Sequence, residues 1–307
     1  MKTLSKLEKI LESGKFAVTS ECGPPRGVNP DVIRKKAELL RDAVDAINVT
    51  DNQTSVVRMS SIASCIILKQ MGLEPIMQMV TRDRNRIAIQ SDILGAAAHG
   101  INNMLCLSGD HQRFGDHQKA KNVYDLDSVQ LIQTVRHMRD EGKFLSGEPL
   151  DGVPGMFIGA AENPFADPFE IRVPRVSKKI SAGVEFIQTQ CVYNLEKFEQ
   201  WMDGIRARGL HKKVYILAGV TPFKSVGMAR YMKTKVPGMD VPDELIERLK
   251  SVAKEKQADE GIALCIETIE RLKKIEGVSG IHIMAIEWEE KVREIAEKSG
   301  LLPRPKV

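Results

Sequence analysis

The sequence predicts an α/β fold, a (β/α)8 barrel of the TIM type forming one domain over residues 1–307, with an extra helix after the seventh strand. Two observations point there. Eight times a short apolar run stops at a polar or turn residue and a helical pattern follows, which is the rhythm of eight strand–helix units. The runs, such as Val214 to Val220, are near-continuous rather than alternating, as parallel strands buried on both faces must be. A length of 307 residues with 42% hydrophobic content is enough to fill such a core.

The first strand covers 16–21, and the helix behind it, 30–43, opens with Asn29 as N-cap and Pro30 in the first position, where a missing N–H costs nothing. Strand two is 46–50 with its helix at 60–71, and strand three is 75–81 with its helix at 86–99. Gly72 and Gly100 stand where these helices must stop. Strand four, 103–107, runs through Ser108, Gly109 and Asp110 into a long loop before the helix 127–141; a loop of that length covers something. Strand five, 156–161, ends at Glu162 and Asn163. Helix five is placed at 175–182, because Pro174 inside a helix would break it. Strand six is 186–192 with its helix at 195–208, and strand seven is 214–220. A helix over 225–235, the added helix 243–254 and a third at 261–275 follow, before strand eight, 280–286, and helix 289–298 close the ring.

Composition narrows the function. The net charge of +4 comes from 45 basic and 41 acidic residues spread along the chain, so no basic stripe for nucleic acid exists. Cys22, Cys65, Cys106, Cys191 and Cys265 lie far apart without a CxxC, which removes a local zinc or iron–sulfur ligand set and suits a reducing cytosol. Most fall in apolar runs and read as buried, inert thiols. No apolar stretch approaches the roughly 20 residues of a membrane span and the N-terminus lacks a signal-peptide core, so the expectation is a cytoplasmic protein. The six histidines show no HxH or HExxH spacing, and no GxGxxG, P-loop or GxSxG occurs; no metal site is expected.

In this register the strand ends deliver Glu21, Thr50 with Asp51 and Asn52, Gln78 with Thr81, Asp110, Glu162 with Asn163, Gln190, Thr221 and Glu287 to one rim, where barrels do their chemistry. Glu21 hangs before a stiff Pro24–Pro25 turn with no basic neighbour in sequence. A carboxyl among weakly polar groups holds its proton nearer to neutrality and can act as a general acid; a solvated structural carboxylate is the other reading. Gly109 lets a ligand approach the main chain and Asp110 can accept from an N–H-rich heterocycle, or the pair is a turn. Gln188 and Gln190 share one strand face and need partners, water or a ligand.

The run Val18 to Arg26, the pair Val49–Thr50, the stretch Leu107 to Asp110 and the pair Thr189–Gln190 together resemble the methylenetetrahydrofolate reductases, a family of flavin-containing barrels, in order over about 15–302. The resemblance implies reduction of 5,10-methylenetetrahydrofolate to 5-methyltetrahydrofolate. It makes Glu21 the donor of a proton to folate N10, Asp110 the carboxylate between flavin and pterin, and Gln190 a pterin contact. It places Thr50, Gln78, Ser108, Gly109, Ala161, Glu162, Asn163 and Lys179 around the flavin, Lys179 near its phosphate, with Phe223 towards the substrate.

The chain departs from the family pattern at Cys22–Gly23, Ser108, Gln78, the stretch Ala160 to Asn163, Val226 and Glu287–Trp288. These changes leave FMN and FAD both open and make direct use of NAD(P)H an open question. They resemble the branch that works with a cysteine-rich electron-transfer partner subunit; a homo-oligomer is also compatible. Two other readings stand beside this one: a pterin-binding barrel that transfers a methyl group to a corrinoid protein, and a non-catalytic subunit of an electron-transfer complex.

Overall fold

The computed structural model describes residues 3–307. Its elements run α1 (Lys6–Glu12), β1 (Ala17–Cys22), α2 (Asp31–Leu40), β2 (Ala46–Val49), α3 (Ser61–Gln70), β3 (Pro75–Val80), α4 (Arg86–Ala98), β4 (Asn103–Leu107), α5 (Ser128–Asp140), β5 (Phe157–Glu162), α6 (Arg172–Ala182), β6 (Phe186–Cys191), α7 (Leu195–Ala207), β7 (Tyr215–Val220), α8 (Val226–Lys235), α9 (Asp243–Lys250), α10 (Gln257–Leu272), β8 (Val278–Ile283) and α11 (Glu290–Lys298). The eight strands form a closed parallel barrel in sequence order, with β8 returning to β1.

Strand alternation stacks the interior in layers. On β1, Ala17, Thr19 and Glu21 climb one inner face, and on β6 Phe186, Gln188 and Gln190 do the same. The lowest layer is apolar: Ala17, Ala46, Ile76, Leu105, Phe157, Phe186 and Leu217 cluster with Leu7, Ile10 and Leu11 of α1. Phe157 and Phe186 stack with centroids 5.0 Å apart, and Gly159 is required because a Cβ there would come within 2.1 Å of the Phe186 ring. Above lies a polar layer. Asn48 Nδ2 donates to Gln188 Oε1 at 2.6 Å, Gln188 Nε2 donates to Thr19 Oγ1 at 3.2 Å, and Thr19 Oγ1 shares a 2.9 Å hydrogen bond with His282 Nδ1. Partners of this kind are what a buried glutamine on a barrel strand demands, and they span β1, β2, β6 and β8.

Several placements differ from the sequence expectation: α2 stops at Leu40 and α9 at Lys250, α10 begins at Gln257 rather than at residue 261, and three further differences bear on the site. Helix α1, absent from that reading, is short: Ser5 accepts from Glu8 N as its cap, and its apolar side closes the bottom of the barrel. Helix α6 begins at Arg172 rather than at residue 175, because Pro174 falls in the first turn, where an N–H has no intrahelical partner to lose. Strand β8 ends at Ile283, so Glu287 belongs to a turn beyond it, at φ +49°. Between β7 and β8 the helices α8, α9 and α10 build a satellite core around Tyr193, Phe223, Ala229, Ile246 and Leu249.

Candidate active site at the barrel mouth

The C-terminal ends of the strands surround a cavity of about 310 Å³ whose lining includes Glu21, Gln78, Ala161, Glu162, Lys179 and Gln190. In an eight-strand ring β1 and β5 stand opposite each other, so Glu21 faces the wall that β5 and α6 build. Leu105, Leu107, His282 and Met284 also border the space.

Glu21 retains some contact with solvent, yet protein encloses its carboxyl. Burial first, and the Glu289 carboxylate second, push its pKa up to about 7, against the pull of Lys36 and Arg58. Among the described residues it has no hydrogen-bond or ion-pair partner, so only the through-space pull of Lys36 and Arg58 favours the charged form. The group is poised between acid and base at neutral pH, the condition for general acid catalysis.

The opposite wall is ionic. Lys179 Nζ lies 2.6 Å from Glu162 Oε2, and both side chains are almost fully buried; the same ammonium donates to the Ala161 carbonyl. Arg175 and Arg172 approach Glu162 Oε1 at 3.7 and 4.0 Å. Three cations thus converge around one carboxylate and leave an excess of positive charge facing the cavity. Burial lowers the Lys179 pKa while Glu162 opposes that effect.

The other expected site residues divide. Gln78 and Gln190 border the mouth; Gln190 Oε1 accepts from Cys191 N at 3.1 Å, leaving its amide hydrogens for a ligand. The register of β6 shifts between Gln188 and Cys191, and this irregularity turns Thr189 into the cavity as well. Ala161, exposed, leaves open space beside the cations. Thr50 Oγ1 and Thr81 Oγ1 are buried at strand ends without a partner. Asn163 lines the mouth but is also a structural tie, its Nδ2 donating to the Gly238 carbonyl at 3.0 Å. Asp51 is committed elsewhere, accepting from Val80 N and pairing with Arg84 at 2.6 Å.

The segment after β4 behaves differently from its expectation. Gly109 has φ +85° and a Cβ there would lie 2.9 Å from Val80 Cβ, so a glycine is required by the turn and by packing against β3. Ser108 Oγ accepts from Ser128 N at the start of α5. Asp110 is exposed; its carbonyl accepts from Ser55 Oγ and Arg82 Nη1 at 2.8 and 2.9 Å. It sits on the rim outside the lining that contains Glu21. The long loop does cover something: Arg26 pairs with Asp116, and Val123 N donates to the Arg82 carbonyl, strapping it over the connections after β1, β2 and β3. Phe223 does not reach the mouth. It is buried in the satellite core, stacked on Tyr193 with centroids 4.4 Å apart.

Sequence reasoning missed Arg172 and Arg175, whose spacing of three and then four residues to Lys179 puts all three on one face of α6. It missed Lys36, Arg58 and Glu289 as neighbours of Glu21, and these carry no local sequence signal. All five cysteines are buried, and burial raises their thiols, Cys22 and Cys191 to about 12. Burial lowers His282 to about 3, which keeps it neutral. Among the described residues no group of three or more His, Cys, Asp or Glu could hold a metal ion, and no helix is long and apolar enough to cross a membrane.

Residues 6–300 match the family described as methylenetetrahydrofolate reductase. Methylenetetrahydrofolate reductase 2 of Schizosaccharomyces pombe is 27% identical over 222 residues, covering 68% of this chain and 33% of its own length. The probable methylenetetrahydrofolate reductase (NADPH) of Caenorhabditis elegans is 23% identical over 308 residues, covering 96% of this chain and 44% of its own length. The chain spans between a third and a half of the length of these curated relatives. A solved Clostridium thermocellum protein that binds two copies of 5-methyl-5,6,7,8-tetrahydrofolic acid shares the fold, with a TM-score of 0.62 at 15% identity over 96% of this chain and 98% of that one. The chain belongs to the methylenetetrahydrofolate reductase family.

Proposed function

We propose that this member of the family reduces 5,10-methylenetetrahydrofolate to 5-methyltetrahydrofolate in the barrel mouth, with Glu21 as the proton donor and a flavin, FMN or FAD, as the hydride source. The observation that carries the proposal is the carboxyl of Glu21, raised to about 7 on the wall of the mouth cavity. Membership in the family supports the reaction, as does the methyltetrahydrofolate held by a protein of like fold.

The residues present suit a flavin. Arg172, Arg175 and Lys179 outnumber Glu162 by two positive charges, which matches a phosphate dianion. Thr50 Oγ1, orphaned and buried, offers a hydrogen bond at a strand end, and Ala161 leaves room for a flat ring. A reduced flavin supplies a hydride; the chain supplies alignment and protons. Glu21 holds its proton for N10 of the folate. Breaking the N10–methylene bond opens the five-membered ring to a 5-iminium cation, and the Glu21 carboxyl becomes a carboxylate. Gln190 presents its amide group to the pterin edge, and Gln78 presents its own to the flavin. Asp110, its main chain fixed by Ser55 and Arg82, is exposed on the rim outside the cavity that Glu21 lines, and it takes no part in this step.

The electron source is proposed to lie outside the chain. Phe223, the aromatic residue expected after β7, is buried against Tyr193 and lies outside the mouth lining, so it presents no face there to a nicotinamide. The isolated chain should therefore oxidise methyltetrahydrofolate with an artificial acceptor and use NADH poorly, a cysteine-rich partner supplying electrons in its place.

Glu21→Gln in the flavin-loaded protein tests the reading. Folate turnover should fall by about two to four orders of magnitude while flavin binding and its reduction by dithionite persist. Turnover unchanged in the variant removes the assigned acid. A colourless protein that methylates a corrinoid protein establishes the transferase instead.

A further inference from the structure

Glu21 lies between two cavities. Beside it, between the connections that follow β1, β2 and β8, is a second space of about 80 Å³ bordered by Glu21, Lys36, Arg58, Glu287 and Glu289. Lys36 comes from α2 and Glu289 immediately precedes α11, and the two form an ion pair of 2.7 Å whose carboxylate is 8% exposed and whose ammonium is 24% exposed. Neither partner bonds Glu21 directly, so both act on it only through space, with opposite sign.

We propose that the Lys36–Glu289 pair is a charge-balancing device that holds Glu21 in its proton-donating form, which makes Lys36 and Glu289 positioning residues for the reaction. This rests on the reading of Glu21 as the acid. An unpaired ammonium beside the side cavity would draw out the Glu21 proton and fix the group as a carboxylate; an unpaired carboxylate there would hold the proton too firmly. Locked together, the two largely cancel, and burial is left to set the protonation. The directions agree: after burial, Glu289 raises Glu21 and Lys36 lowers it.

The remaining groups that face Glu21 do not supply the balance. Arg58, from the segment after β2, is anchored to the Pro24 carbonyl at 3.0 Å and contributes a fixed lowering. Glu287 is exposed in the turn after β8. His282 is neutral, Cys22 and Cys191 hold their protons, and Glu162 across the mouth is tied to Lys179.

Two variants of the flavin-loaded full chain decide the matter, assayed as 5,10-methylenetetrahydrofolate reduction with dithionite as electron source across pH. A protonated acid makes turnover fall as pH rises through its pKa. Glu289→Gln should move that high-pH limb down by about one pH unit, and Lys36→Met should move it up by about the same. The double variant should return to within a few tenths of a unit of the parent. Simple loosening of the structure predicts shifts of one sign or loss of amplitude alone, and either result, or no shift, overturns the proposal. Infrared titration of the Glu21 carboxyl, identified by its loss in Glu21→Gln, reads the same shifts without turnover. If Glu21→Gln retains full activity, the functional reading fails, while the infrared shifts still decide whether the pair governs the carboxyl.

Discussion

Glu21 and Glu162 are the same residue type near the ends of opposite strands of one ring, and their surroundings are opposite. Glu162 is buried in direct contact with Lys179 and flanked by Arg172 and Arg175. Among the described residues Glu21 has no ion-pair partner, and two of the three charges that act on it belong to a pair that is already closed. One wall therefore carries a closed ionic cluster, and on the proposed reading the other carries a transferable proton. The helices behind the strands make the difference, α6 for Glu162 and α2 with the start of α11 for Glu21.

The comparison breaks hardest at Lys179. Replacing it with Met leaves Glu162 buried without its closest cation, and the fold should lose about 3 to 5 kcal/mol in urea denaturation, together with its flavin. If stability is unaffected, the ionic wall is not what holds that carboxylate. Glu21→Gln should act in the reverse direction. Its carboxyl is raised from 4.5 to about 7 in the folded state, so the native protein retains a proton that the unfolded chain has lost. Wild-type stability then falls as pH rises across that window. At pH 8 the variant should be the more stable by about 3 kcal/mol, and at pH 4 the two should converge. An equal difference at both pH values would mean that the carboxyl is not desolvated.

Smaller effects sharpen the boundary between scaffold and site. Gly109→Ala meets a positive φ and the Val80 side chain, and should cost about 1 to 3 kcal/mol of stability with little change in flavin affinity. A large loss of flavin instead would return Gly109 to the ligand wall. Arg175, half exposed, should contribute least. Arg175→Ala should weaken flavin binding by about threefold to tenfold, read by fluorescence titration, and the effect should shrink at high salt.

The ring was legible because parallel strands are apolar on both faces, and each of the eight runs falls on a strand of the closed barrel to within a residue or two, except at the end of β8. Glu21 was legible for a related reason: a lone acid at the end of an apolar run reaches the mouth whatever the exact boundary. Arg172 and Arg175 were hidden by Pro174, which suggests a helix start three residues too late and so conceals the face that they share with Lys179. Phe223 was misjudged because the connection after β7 turns inward under α10 before it emerges, a tertiary event without local pattern. The Lys36–Glu289 pair joins α2 to the start of α11 across the closing seam of the ring, and a contact so distant in sequence leaves no periodic trace.

Helix α1 has a practical consequence. Leu7, Ile10 and Leu11 are buried against Phe157, Phe186 and Leu217, so residues 6–12 act as a lid over the apolar lower layer of the barrel. An expression clone begun at Phe16 would keep every residue of the mouth and still admit water to the greasy lower ring, yielding sticky, insoluble material from a fragment whose catalytic groups are all intact.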